Sequence, residues 1–269
     1  MSILPVLICS VVLFNIVSCF FIHQICMNDK GIDIKTIREP KSNEAVYLIG
    51  GCQSRTEQVF DFILEDIPTA SGIYLIEYRN QGFNVWQAAN DLDNHIRLHS
   101  HKATIISISL GYQISCIVSN LAKFEIAINP CIGKVSLQPK IKKACGILPV
   151  LEVFAFAIGW LAYLPFVKIA YKPYYSLRLL LDQFEICASN QVIKKYVFSP
   201  NALILSEYDE IINNDVLYHI TMAEPERRSK PLLYTVPTTH FGTTDNSVFY
   251  HLDVVECFEH LQETNRQTE

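Results

Sequence analysis

The sequence predicts an α/β fold, a mostly parallel central sheet with helices on both faces. Three observations carry this. Short apolar runs alternate with helix-spaced segments along most of the chain, which is how a parallel sheet with crossover helices reads. Half of the 269 residues are hydrophobic and only 18% are charged, enough for a large buried core and too apolar for disorder. Turn-forming glycines stand where an apolar run gives way to a helical pattern, at Gly50-Gly51 and at Gly111.

The elements follow in order. Ala45–Ile49 is a buried strand ended by Gly50-Gly51. Thr56–Glu65 carries Val59, Phe60, Ile63 and Leu64 on one helical face, and Gly72–Tyr78 is the next strand. Asn84–Leu98 reads as a helix, Ala103–Ile108 as a strand, and Gly111–Ala122 as the helix that follows directly. Strands are expected again at Phe124–Asn129, Asn201–Leu205 and Pro231–Val236, with an amphipathic helix over Val248–Leu261. Residues 28–44 are polar and mixed in charge, a linker or a first edge hairpin.

The N-terminus departs from this rhythm. No charged residue occurs from Ile3 to Ile25, a run long enough to cross a bilayer as a helix. The expectation is an N-terminal transmembrane helix in residues 1–27, with the membrane bilayer as partner. Lys30, Lys35, Arg38 and Lys41 follow the run and none precedes it, which places the body on the cytoplasmic side. The alternative is a signal sequence removed on export, but the basic n-region of a signal peptide is missing.

Charge and cysteines exclude several classes. The net charge is −5 with no long basic block, so no nucleic-acid partner is expected. The nine cysteines are scattered without a C-x-x-C pair, and no N-x-[ST] sequon occurs, which favours reduced thiols. No phosphate loop, H-E-x-x-H helix or EF-hand is present, so neither a nucleotide nor a metal is expected, and no cofactor. His95, His99 and His101 form H-x3-H-x-H, a spacing that can set a metal on one helical face. With no carboxylate in the motif, a solvated helix end is the expectation. Lys134, Lys140, Lys142 and Lys143 read as a solvated basic surface rather than an anionic headgroup site.

The chemistry concentrates in Ile105-Ile106-Ser107-Ile108-Ser109-Leu110-Gly111. A buried strand runs into a serine and a helix starts directly after it. In the nucleophile elbow, G-x-S-x-G, small residues on either side permit a sharp strand-to-helix turn that exposes the serine. Here the pattern is S-x-S-x-G, with Ser107 in place of the first glycine. The first N–H groups of the helix would point to the same spot and can stabilise an oxyanion.

With this elbow, three further segments make residues 45 to 261 resemble the α/β-hydrolase superfamily. Val46-Tyr47-Leu48-Ile49-Gly50-Gly51-Cys52 resembles the strand that ends in His-Gly, with Gly50 in place of the histidine; the resemblance implies oxyanion donors at the backbone N–H groups of Cys52 and Leu110. Asp209, in Leu205-Ser206-Glu207-Tyr208-Asp209-Glu210-Ile211-Ile212, matches the acid that follows a late strand. His240, in Thr238-Thr239-His240-Phe241-Gly242, matches the histidine between the last strand and the last helix. The order Ser109, Asp209, His240 is the superfamily's order.

The resemblance implies a core of residues 45–135 and 196–269, with 136–195 inserted as an apolar helical cap. The apolar run Ile147–Val167 is long enough to span a membrane. If it did, Ser109 would lie on the opposite side from Asp209 and His240, so a cap is the consistent reading. Phe154, Phe156, Trp160 and Tyr163 would line an apolar acyl pocket there, or simply pack the cap onto the core. The implied activity is that of a serine esterase on lipid-like or other apolar acyl substrates. A thioesterase or peptidase would use the same three residues, and a binding protein that keeps the fold without the chemistry is the alternative from another class.

Overall fold

The computed structural model describes residues 10, 13, 31–51, 55–79, 84–99, 101–147, 168–169, 172–173, 185–223, 231–240 and 254–256. Nine strands are described: β1 Ile32–Arg38, β2 Glu44–Ile49, β3 Gly72–Tyr78, β4 Lys102–Ile108, β5 Ala122–Ile128, β6 Lys168–Ile169, β7 Lys172–Pro173, β8 Ala202–Ser206 and β9 Leu232–Val236. Five described helices are α1 Thr56–Phe60, α2 Val85–His99, α3 Gly111–Val118, α4 Pro139–Gly146 and α5 Asn214–Ala223.

Seven strands form one sheet in the order β1-β3-β2-β4-β5-β8-β9. All neighbours are parallel except β1, which runs antiparallel along β3. The polar segment before residue 45 is thus partly an edge strand. Its exposed Asp33, Lys35 and Thr36 suit an edge, where charge discourages pairing with another chain.

The central strands are buried on both faces, so their side chains alternate between two cores. Ala45, Tyr47 and Ile49 of β2, with Ala103 and Ile105 of β4, pack under α2 and α3. Val46 and Leu48, with Ile106 and Ile108, face the other way, against Val59, Phe60, Ile63 and Val254. Helix α2 presents Val85, Ala88, Ala89, Leu92 and Ile96 to the first core at helical spacing.

Some boundaries differ from the sequence reading. Helix α1 ends at Phe60 and continues as a 3-10 turn over Asp61–Ile63. Helix α3 ends at Val118, and Ser119–Leu121 tightens into a second 3-10 turn before β5 begins at Ala122. Within 136–195, the described parts are residues 136–147, which include all of α4, the antiparallel pair β6 and β7, and residues 185–195, which open with a helical turn at 185–188.

The N-terminal transmembrane helix is corrected. Among the described residues, no helix is long and apolar enough to cross a membrane. Helix α2 has 15 residues. At 1.5 Å per residue it spans about 22 Å, short of a hydrocarbon core of about 30 Å. It also carries Asp91, Asp93 and Arg97. Of residues 3–25 only Ser10 and Leu13 are described, both helical and exposed; the rest of the expected anchor lies outside the described residues.

Candidate active site

Ser109 stands at the carboxyl end of β4, and the chain turns there from strand to helix in two residues. Its φ is 52°, in the left-handed region that non-glycine residues seldom occupy. Neighbouring backbone holds this conformation from both sides. The Ser109 N–H donates to the Ile128 carbonyl at 2.9 Å, and the Ser109 carbonyl accepts from Cys131 N–H at 2.9 Å and from Tyr112 N–H at 3.2 Å. The sheet ends of β4 and β5 therefore fix the turn directly.

Gly111 makes the turn sterically feasible. A Cβ there would lie 2.5 Å from the Gly50 carbonyl oxygen and 2.7 Å from that of Ile49. The loop after β2 thus lies directly against the elbow. A Cβ on Gly51 would come 3.3 Å from Ser109 Cβ. Ser107, where the motif usually has glycine, is fully buried and directs its hydroxyl toward Ser115, 3.3 Å away.

His240 follows β9 and Asp209 follows β8. Because β8 and β9 are adjacent and parallel, their carboxyl ends bring the two loops together. His240 Nδ1 lies 2.8 Å from Asp209 Oδ2, and its Nε2 lies 3.0 Å from Ser109 Oγ. Asp209 is 6% exposed and His240 8%, whereas Ser109 is more open. The pair is thus largely screened from water, and the hydroxyl is reachable.

Asp209 is held by its own loop. Its Oδ1 accepts from Ile211 N–H at 2.8 Å and from Ile212 N–H at 2.6 Å, an Asx turn that leaves Oδ2 for the histidine. Gln138 Nε2 donates to the carbonyls of Asp209 and Ile212, tying the loop to the segment after β5. The His240 N–H donates to Glu210 Oε2 at 3.0 Å. The acid's neighbour therefore braces the histidine's backbone, a role with no separate signal in the sequence.

Asn129, at the end of β5, also has positive φ, 44°. Its Nδ2 donates to Ser206 Oγ at 2.6 Å, and its Oδ1 accepts from Ser206 N–H at 2.7 Å. This cross-link joins the ends of the adjacent strands β5 and β8, which lie between the strand of Ser109 and the strand of His240. The strand-ending asparagine was its only trace in the sequence.

Leu110 opens α3 with helical dihedrals and is buried. First-turn N–H groups have no acceptor within their own helix, and a short helix still presents them at its start. Cys52, the second expected donor, lies outside the described residues, as do Phe154, Phe156, Trp160 and Tyr163.

The three histidines at the end of α2 are not a solvated helix end. Tyr47 Oη lies 3.1 Å from His95 Nδ1 and 2.6 Å from His101 Nδ1, so two of them turn inward; His99 alone is exposed. Burial, then the charges of His99 and His101, push His95 down to about 4. Among the described residues, no group of three or more His, Cys, Asp or Glu is arranged to hold a metal ion.

No family model matches the chain, and no curated protein matches it in sequence. Solved structures do. An alpha/beta hydrolase fold protein from Burkholderia ambifaria is 11% identical, with a TM-score of 0.58, over 84% of this chain and 93% of that one. A monoacylglycerol lipase from Paleococcus ferrophilus is 13% identical, with a TM-score of 0.57, over 84% and 97%. A soluble variant of the monoglyceride lipase of Saccharomyces cerevisiae is 16% identical, with a TM-score of 0.54, over 86% and 92%. The parallel sheet, the elbow on β4 and these alignments over most of both chains agree: this protein has the α/β-hydrolase fold.

Proposed function

We propose that the chain is a serine hydrolase that cleaves carboxylic esters bearing an apolar acyl chain, with Ser109 as nucleophile, His240 as base and Asp209 as the orienting acid. The observation that carries this reading is the unbroken hydrogen-bonded line from Ser109 Oγ through the His240 ring to Asp209 Oδ2. With Nδ1–H directed at Asp209, Nε2 offers its lone pair to the serine hydroxyl.

As Ser109 Oγ attacks the ester carbonyl, its proton passes to His240 Nε2, and Asp209 stabilises the imidazolium. The negative oxygen of the tetrahedral adduct is met by the Leu110 N–H at the start of α3, with the Cys52 N–H as second donor. His240 then returns the proton to the departing alcohol, leaving an acyl group on Ser109. Water, deprotonated by the same nitrogen, releases the acid and restores the serine.

The substrate class is supported by two things. Structural neighbours include carboxylesterases and monoacylglycerol or monoglyceride lipases. The inserted segment 136–195 also carries the apolar run Ile147–Val167, with Phe154, Phe156, Trp160 and Tyr163 as candidate pocket walls.

The test is labelling with a fluorophosphonate, comparing the wild type with Ser109→Ala and His240→Ala, followed by hydrolysis of p-nitrophenyl esters of rising acyl length. The expected result is a labelled wild type, loss in both variants, and faster turnover of the longer chains. A folded wild type that neither labels nor hydrolyses any ester would assign the fold a binding role instead.

A further inference from the structure

Behind the elbow, on the α3 side of the sheet, an otherwise apolar core contains a polar cluster. Ser107 and Ser115 are fully buried and Glu125 is 3% exposed. Ser115 Oγ donates to Glu125 Oε1, and Ser107 Oγ lies 3.3 Å from Ser115 Oγ. A serine hydroxyl has a single hydrogen to give. With that of Ser115 committed to the carboxylate, Ser107 must be the donor in the Ser107–Ser115 contact. The order is therefore Ser107 to Ser115 to Glu125, running from β4 through α3 to β5.

The backbone that carries Glu125 is itself fixed. Glu125 N–H donates to Asn201 Oδ1 at 2.8 Å, and the Glu125 carbonyl accepts from Asn201 N–H at 2.9 Å. Its charge is felt locally: burial and then Glu125 push the Cys116 thiol up to about 12. A buried carboxylate is costly, and an apolar side chain of similar volume often serves stability as well or better. The placement points to a different use. Ser107 precedes Ser109 by two residues and Ser115 follows it by six, so both flanks of the elbow are tied to one carboxylate. A backbone at φ 52° persists only where its surroundings over-determine it.

We propose that Glu125 is a positioning residue for Ser109. Acting through Ser115 and Ser107, it locks the strand and the helix on either side of the turn and thereby aims the Ser109 hydroxyl and the Leu110 N–H. Its effect on rate rests on Ser109 being the nucleophile; its effect on the elbow does not. Ser107 is then a substitution matched by its partners, a hydroxyl in place of the usual glycine that finds an acceptor in Ser115.

The test uses the full chain as wild type, Glu125→Leu, Glu125→Gln and Ser115→Ala. Hydrogen exchange is read at the amides of Tyr112 and Gln113, which donate to the Ser109 and Leu110 carbonyls, with Leu48 in β2 as reference. Fluorophosphonate labelling and ester kinetics are measured in parallel. Glu125→Leu and Ser115→Ala are expected to speed exchange at the elbow about tenfold, the size of one lost hydrogen bond, with Leu48 unchanged. Labelling and kcat should fall by a similar factor at constant KM, and Glu125→Gln, which keeps an acceptor oxygen for Ser115, should recover most of both. Wild-type exchange at the elbow, or equal acceleration at Leu48, would overturn the proposal. If Glu125→Leu does not fold, Ser115→Ala decides alone. A wild type that does not label would end the hydrolase reading and leave the exchange comparison to decide this one.

Discussion

The Gly50 carbonyl oxygen lies where a side chain on Gly111 would begin, 2.5 Å from an ideal Cβ, and the same oxygen accepts a hydrogen bond from Tyr78 Oη at 2.8 Å. A methyl group at position 111 therefore meets backbone that is already anchored. Gly111→Ala is expected to destabilise the protein by about 1–3 kcal/mol, the usual cost of forcing atoms into a packed site. It should also slow labelling of Ser109. Urea unfolding and the labelling rate check both, and an alanine variant as stable and reactive as wild type would refute the steric account.

Asp209→Asn keeps the side-chain shape but places an amide where the His240 Nδ1–H needs an acceptor. The histidine then favours the tautomer with hydrogen on Nε2, which cannot accept the Ser109 proton. Ester turnover is expected to fall by roughly 10³–10⁴-fold, as for other hydrolases of this chemistry. Steady-state kinetics with a circular-dichroism control measures it; a loss below tenfold would remove Asp209 from the role of orienting acid.

The histidine cluster at the end of α2 gives a pH dependence of stability. Burial, then His99 and His101, hold His95 at about 4 in the folded state, against 6.5 for an ordinary histidine. Burial and His99 also lower His101, opposed by Glu39. Between pH 6.5 and 4 the unfolded chain binds more protons at His95 than the folded one, so stability falls as pH falls through that window. His95→Gln should flatten this part of the profile, which unfolding midpoints at pH 7.5, 6 and 4.5 would show; an unchanged slope would exclude His95 as a contributor.

Asn129→Ala removes both hydrogen bonds to Ser206 and leaves a residue with a Cβ at φ 44°. The expected destabilisation is about 2–3 kcal/mol, from a buried Ser206 N–H that loses its acceptor and a hydroxyl that keeps only its bond to the Thr239 carbonyl. Asn129→Gly, which keeps the backbone freedom, separates the two causes: if it is no less stable than wild type, the cross-link is without weight.

How legible was this in the sequence? Strands β2, β4 and β8 stood out as short apolar runs because both their faces are buried. The elbow was readable because its steric demand falls on adjacent positions: Gly111 must be bare whatever else surrounds it. Asp209 and His240 were found through the resemblance to the superfamily, which expects an acid after a late strand and a histidine after the last one. Contacts between distant segments were harder to read. Nothing near Glu125 announced Ser115 as its partner, because ten residues and a change of element separate them. The histidines at the end of α2 looked solvated because the tyrosine that draws two of them inward lies in β2. Helix α5 escaped notice although Asn213 begins it, with its side chain accepting from Val216 N–H. The antiparallel course of β1 followed from no local pattern, since an edge strand's direction is set by its partner.

Strand β9 ends the sheet order and, among the described residues, is paired only with β8. The residue that would handle the proton thus sits beyond an edge strand, while the residue that would attack sits on the middle one. Edge segments open more readily than interior ones. On warming, the earliest casualty should be the alignment of His240, with the hydrophobic cores still closed. Esterase activity would then fade some degrees below the melting of the far-ultraviolet signal, and the protein would fail as a catalyst before it fails as a fold.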